Sequence, residues 1–202
     1  MLGGLYTYVG NHEKGERYLH EAMQIRLELG SPLGIAIVAE ATSGLAMLRR
    51  DWETATASTL AAIQTFEQMG AAQNLVMSQS RLGHILRQTG DVSGAREIYR
   101  GTIRSWQELG NVPAVAHQLE CFAFLRIAGE NYHQAAWLIG ASGAIRKRLN
   151  AATQNPMELA DMEQALAQLA EALGPAERDQ AMAEGGRLTE DEAVALALQA
   201  MP

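Results

Sequence analysis

The sequence predicts an all-α protein, an array of helical hairpins with a forty-residue period closed by a C-terminal helical cap. Three observations predict it. Helix-ending residues fall at Gly30, Gly70, Gly110 and Asn150, each preceded by an apolar residue, Leu29, Met69, Leu109 and Leu149. Small residues recur at the same interval: Gly3, Ser43, Gly83 and Ala123; Gly15, Ala55, Ala95 and Ala135; Ala22, Ala62, Thr102 and Ser142. The stretch 83–110 holds the end of one helix, a tight Gly90-Asp91 turn and a complete second helix, so the repeating unit is a hairpin. Self-similarity at a fixed period of this length marks a repeat array in which each unit buries its apolar face on its neighbours. Residues 1–150 are expected to form four hairpins and residues 151–202 the cap.

The first hairpin is short. Only Leu2–Val9 precedes the turn at Gly10-Asn11, and an isolated helix of that length is marginal. The chain therefore reads as a piece of a longer protein whose fold starts upstream of Met1. The under-covered apolar face of this hairpin predicts a homodimer. The other first helices are expected at about Pro32–Arg49, Ala71–Thr89 and Val112–Ala128. The second helices are expected at about His12–Leu29, Trp52–Met69, Val92–Leu109 and Tyr132–Leu149.

In the third hairpin Val92, Ala95, Tyr99, Thr102, Trp106 and Leu109 follow one another at spacings of three and four, which places them on one helix face. Small residues at the centre of that stripe allow close approach of the paired helices. One position of the stripe varies: Phe66 and Trp106 in the inner hairpins, Arg26 and Arg146 in the outer two. End units of an array are buried on one side only, so these arginines are expected to face solvent.

Asp51, Asp91 and Asn131 are placed to cap the second helices, and Gly30, Gly70 and Gly110 suit the left-handed position that ends a helix. After Asn150 the phase is lost. Asn155-Pro156-Met157-Glu158 reads as N-cap, proline at N1 and capping-box Glu, opening a helix to about Leu173 with Leu159, Met162, Leu166, Leu169 and Leu173 on one face. Gly174-Pro175 breaks it, a short helix runs to about Glu184, and Gly185-Gly186 reads as a loop. Thr189 to Glu192 forms a second capping box that opens a last helix, Glu190–Ala200.

Composition narrows the function classes. The chain has 202 residues, 48% of them apolar, with 16 Lys and Arg against 23 Asp and Glu for a formal charge of −7. Neutralising phosphates supplies most nonspecific nucleic-acid affinity, so direct nucleic-acid binding by this segment is not expected. The sequence contains neither a long apolar run of membrane-spanning length nor a secretory leader pattern. A single cysteine, Cys121, leaves no internal disulfide and fits a reducing cytoplasm.

Gly83, Ala95 and Thr102, with Leu82 and Tyr99 between them, match the skeleton of a tetratricopeptide-like hairpin lengthened from 34 residues to forty; the Trp and Pro of that consensus do not appear. The resemblance implies a right-handed array. Four stretches of the tail are more specific: Ala136-Trp137-Leu138-Ile139-Gly140-Ala141, Leu169 to Gly174, Ala183-Glu184-Gly185-Gly186-Arg187-Leu188-Thr189, and Glu192 to Leu198. Together they resemble the closing segment of large ATP-binding bacterial transcriptional regulators of the LuxR-type and maltose-regulator-like kind. That family has Arg directly after Glu-Gly, where this chain interposes Gly186. The resemblance implies a cytoplasmic, non-catalytic sensor or interaction module, signalling through a protein or peptide partner or a small effector. The alternative is a free-standing adaptor that binds a peptide in the concave groove. No phosphate-binding loop of the form Gly-x-x-x-x-Gly-Lys-Ser/Thr occurs in the sequence, and no helix-turn-helix is read after Leu198.

Chemistry-bearing residues are few. His117, Glu120 and Cys121 share a helix face, and His84 lies one repeat earlier. A zinc site wants three or four ligands, so these are read as polar lining of a groove around a buried thiol, with no metal or cofactor and no catalytic residues. Glu40 and Glu120 stand singly, without a second carboxylate to split their pKa values. The groove-lining positions expected from the register are Ile37, Glu40 and Met47; Met77, Ser80, Arg81 and His84; and His117, Glu120 and Phe124. Met77, Arg81, His84, His117, Glu120 and Phe124 form the expected ligand or peptide site, since Met and mixed polar groups give an adaptable binding wall.

Overall fold

A computed structural model describes residues 12–153 and 155–200. The described residues form ten helices and no strand: α1 (His12–Glu28), α2 (Pro32–Leu48), α3 (Trp52–Gln68), α4 (Ala72–Gln88), α5 (Val92–Glu108), α6 (Val112–Ala128), α7 (Tyr132–Leu149), α8 (Pro156–Leu173), α9 (Pro175–Gly185) and α10 (Glu190–Leu198). The expected helix Leu2–Val9 and its turn lie outside the described residues, as does Gly3. Several expected helix ends shorten by a residue, and the last helix stops at Leu198 rather than Ala200.

Seven helices end in the same way. A residue at or directly after each helix cap has a left-handed backbone: Gly30, Arg50, Gly70, Gly90, Gly110, Glu130 and Asn150. The next amide then reaches back to a carbonyl inside the last turn, as Ser31 does to Arg26, Asp51 to Ala46 and Asn131 to Arg126. This is the Schellman closure, which satisfies carbonyls a helix end would otherwise leave bare. Except at α4, which Ala71 opens, a short polar residue follows before the next helix. The carboxylates of Asp51 and Asp91 accept the amides of Thr54 and Gly94, and the side chains of Ser31 and Asn111 cap α2 and α6 in the same way. Asn131 makes no such bond, contrary to the sequence expectation.

The chain divides into two compact units, residues 1–98 and 99–202, with the division inside α5. In the first unit α1 packs on α2, α2 on α3 and α3 on α4. The small residues do what their spacing implies: Ala55, Ala62 and Ala95 are completely buried, and the Ser43 and Thr59 hydroxyls meet at 2.6 Å between α2 and α3. Ala36, Ala39, Ala62 and Phe66 form one core cluster, joined by Met23, Ala71 and Leu75. Leu19, Val38 and Leu45 form a second.

In the second unit α6 packs on α7, and α8, α9 and α10 all pack against α7. The crossing of α7 and α9 is the tightest contact. A Cβ on Gly140 would land on the backbone of Met182, and one on Gly185 on the backbone of Trp137. Gly185 is therefore a buried contact at the end of α9 rather than loop, correcting the sequence expectation. The Trp137 indole N–H donates to Glu184 at 3.1 Å and ties the same crossing at its rim. In α8, Ala165 and Leu169 are the buried residues while Leu159 stays exposed, so the core face is narrower than the five-residue stripe expected. Thr189 and Glu192 form the expected reciprocal capping box on α10. The fully buried Arg126 donates to the carbonyls of Leu196 (3.1 Å) and Gln199 (2.9 Å), a cation seated on the negative end of α10. Among the described residues no helix is long and apolar enough to cross a membrane.

Gly140→Ala and Gly185→Ala should each lower stability, because backbone cannot yield to the new methyl; overpacking costs about 1–3 kcal/mol. Gly143 lies in the same helix with nothing within 4 Å of its would-be Cβ. Gly143→Ala should therefore stabilise by about 0.5–1 kcal/mol through helix propensity. Urea midpoints of the three variants check this; a stabilising Gly140→Ala would mean that α7 and α9 cross at a looser distance.

Candidate functional site

Of the six residues expected to form the site, Met77, Arg81 and His84 belong to the first unit and His117, Glu120 and Phe124 to the second. The polar groups of each unit gather around one buried carboxylate.

In the first unit that carboxylate is Glu40 on α2. Its Oε1 accepts from the Ser78 hydroxyl at 3.3 Å and faces the Arg81 guanidinium at 3.7 Å. Arg81 also donates to the main-chain carbonyl of Glu40 at 2.6 Å. Gly44 makes room for it, since a Cβ there would sit 2.8 Å from Nη1. These bonds lay α4 beside α2. Burial pushes the Glu40 carboxyl above its ordinary value, and the charge of Arg81 and the Ser78 hydrogen bond offset only part of that. Three of the expected wall residues are buried instead: Glu40, Met47 and Ser80, whose hydroxyl turns back to the Val76 carbonyl at 2.9 Å. Ile37 and Met77 remain at the surface, 48% and 40% exposed, and His84 is half-buried.

In the second unit the carboxylate is Glu120 on α6. Arg146 on α7 holds it with two bonds, Nε to Oε1 at 2.7 Å and Nη2 to Oε2 at 2.9 Å, and the Ser142 hydroxyl donates to Oε1. The His117 ring lies one turn away with Nδ1 3.5 Å from Glu120 Oε2. Burial alone would raise the Glu120 pKa. The His117 imidazole beside it, the hydrogen bonds from Arg146 and the guanidinium charge overcome it and hold the group at about 2. Arg146 also donates to the Ala151 carbonyl at 3.3 Å, which fastens the chain leaving α7. Its side chain is thus turned inward, correcting the expectation that it faces solvent. Arg26, in the equivalent place of the first hairpin, is exposed as expected.

Glu158 completes the surroundings. It accepts from Thr153 Oγ1 at 2.6 Å and Asn155 Nδ2 at 2.9 Å, in place of the expected capping-box bond, and its Oε2 lies 3.7 Å from His117 Nδ1. On the other side of the ring, His117 Nε2 meets Cys121 Sγ at 3.8 Å. Burial opposes the charged imidazolium, but Cys121, Glu120 and Glu158 together raise the His117 pKa well above 6.5. Phe124, the last of the six, is half-buried farther along α6.

No protein-family model matches the chain, and no significant match was found among the curated proteins compared with it. Function therefore has to be argued from these side chains.

Sequence reasoning missed Arg146 as the partner of Glu120 and Glu158 as a neighbour of His117. The signal for Arg146 was present, since a cation replaces the Phe and Trp of the inner hairpins at a core position.

The two carboxylates occupy equivalent places in their hairpins and make opposite predictions. A group whose folded pKa is raised, as for Glu40, favours folding below its unfolded value near 4.5, and that contribution is lost as pH rises through the folded value. Glu40→Gln should thus flatten the fall in stability above pH 4.5, read as denaturant midpoints across pH. Glu120→Gln or Arg146→Met at neutral pH breaks a buried pair and should cost about 3–5 kcal/mol. Equal, small losses for Glu40→Gln and Glu120→Gln would show that the two environments are alike.

Proposed function

We propose that this chain is a non-catalytic regulatory module of a larger bacterial transcriptional activator, acting in the cytoplasm as a tetratricopeptide-like array that binds a peptide segment. The observation that carries this reading is the wall formed by α2 and α4. The Glu40–Ser78–Arg81 bonds hold these helices side by side while Ile37 and Met77, at equivalent positions of successive first helices, stay exposed. Met77 and Arg81 lie one turn apart, so an adaptable apolar side chain and a partly open guanidinium share a face. That pairing suits an amphipathic helix presenting apolar anchors and one carboxylate. Occupancy that favours one packing of the wall would bias an attached switch domain by its difference in affinity for the two packings.

Selection from a displayed peptide library tests the proposal. Enriched peptides should carry apolar residues at helical spacing with an acidic residue, and should lose at least tenfold in affinity to the Ile37→Glu/Met77→Glu variant. Leu60→Glu, at an exposed position on α3, should change nothing. Absence of enrichment, or equal binding by all three proteins, would refute a peptide-binding wall here.

A further inference from the structure

We propose that His117 and Cys121 form the protein half of a binding site for one zinc-class cation, a site independent of the peptide wall. Both residues lie on α6, one turn apart, with Nε2 and Sγ separated by 3.8 Å. A tetrahedral ion with Zn–S about 2.3 Å and Zn–N about 2.0–2.1 Å holds its sulfur and nitrogen ligands roughly 3.5 Å apart. The pair is already close to chelating distance without any movement of the helix.

The far side of the ring supports the same assignment. His117 Nδ1 faces two carboxylate oxygens, Glu120 Oε2 at 3.5 Å and Glu158 Oε2 at 3.7 Å. Negative charge on that side favours a proton on Nδ1, so Nε2 is the nitrogen that would yield its proton to a metal, as in histidine ligands oriented by a carboxylate. Here Nε2 faces a buried thiol, and imidazole with thiolate is a donor set that zinc-class ions prefer. Glu120 is bound on both oxygens by Arg146, and Glu158 on both by Thr153 and Asn155, so each carboxylate is fixed in place beside the ring.

Binding breaks the Cys121 S–H bond and the Nε2–H bond of the imidazolium, forms one metal–sulfur and one metal–nitrogen bond, and releases both protons to solvent. Water or further donors complete the ion's coordination. The imidazole side chain, 20% exposed, marks the side from which an ion would enter.

A thiol–imidazole hydrogen bond would place the same two atoms at the same distance, and a cobalt titration separates the two readings. Reduced full-length chain, stripped with a chelator, is titrated with Co²⁺. Cys121 is the chain's single cysteine, so any thiolate-to-cobalt absorption must come from it. The expected result is such a band saturating at one equivalent, displaced by Zn²⁺ and accompanied by release of about two protons at neutral pH. Glu158→Gln should weaken Co²⁺ binding about 10–100-fold with helix content unchanged, and His117→Gln more. Folded wild-type chain that shows no thiolate band at saturating Co²⁺ overturns the proposal, whether or not cobalt binds elsewhere on the surface. A band whose affinity is the same in His117→Gln overturns it as well. Both readouts on the wild type stand even if Cys121→Ser fails to fold.

Discussion

The left-handed residue after each helix is the constraint on which the rest of the structure depends. Between Gly30 and Asn150 seven connections use the same backbone geometry, each with an amide reaching back into the last helical turn. Such a closure fixes where the next helix starts and in which direction it leaves, so the angle within a hairpin is set locally. Glycine adopts this conformation freely; Arg50 and Glu130 adopt it against a preference of roughly 1–2 kcal/mol. Two non-glycine residues held there show that packing of the helices on either side outweighs local preference. The small residues then become a consequence: helices brought together at a fixed angle meet at fixed points, and Ala55, Ala95 and Ala135 sit with no exposed surface.

Once the backbone is set, polar residues at equivalent places diverge by their neighbours alone. Glu40 and Glu120 occupy the same position two repeats apart. Arg81 meets Glu40 at 3.7 Å and gives its shortest bond to the main-chain carbonyl, so the buried carboxylate stays under-compensated. Arg146 meets Glu120 with two short bonds, Ser142 adds another, and the His117 ring lies 3.5 Å away. The same burial therefore ends in a raised pKa in one place and a value of about 2 in the other. Charge-assisted bidentate bonds, rather than depth, decide the sign.

This divergence explains what the sequence made legible. Helix positions, turns, most caps and buried small residues follow from local rules and a fixed period, and the helices begin within a residue or so of where those rules put them. The site follows from which neighbour each side chain finds, and a period does not carry that information. Met47 and Ser80 lie on the edge of the apolar stripe, where a slight rotation separates groove wall from core, and both are buried. Arg126 could not have been placed at all, since its carbonyl partners lie some seventy residues along the chain in α10. Arg146 was misread because a cation at a core position was assigned to solvent, when a buried carboxylate two turns back in the preceding helix was available to it.

The tail stretches that look like a family signature have a structural explanation of their own. Trp137 to Ala141 and Ala183 to Arg187 are distant in sequence, yet Gly140 and Gly185 interlock there through direct backbone contact. A signature made of glycines at a helix crossing is what close packing would demand of any chain using this crossing, whatever it binds. These residues therefore define how α7 and α9 meet and carry little information about ligand. Determinants of binding belong on positions the packing leaves free to vary. In the first unit Ile37 and Met77 are such positions, since both stay exposed at equivalent places on successive first helices.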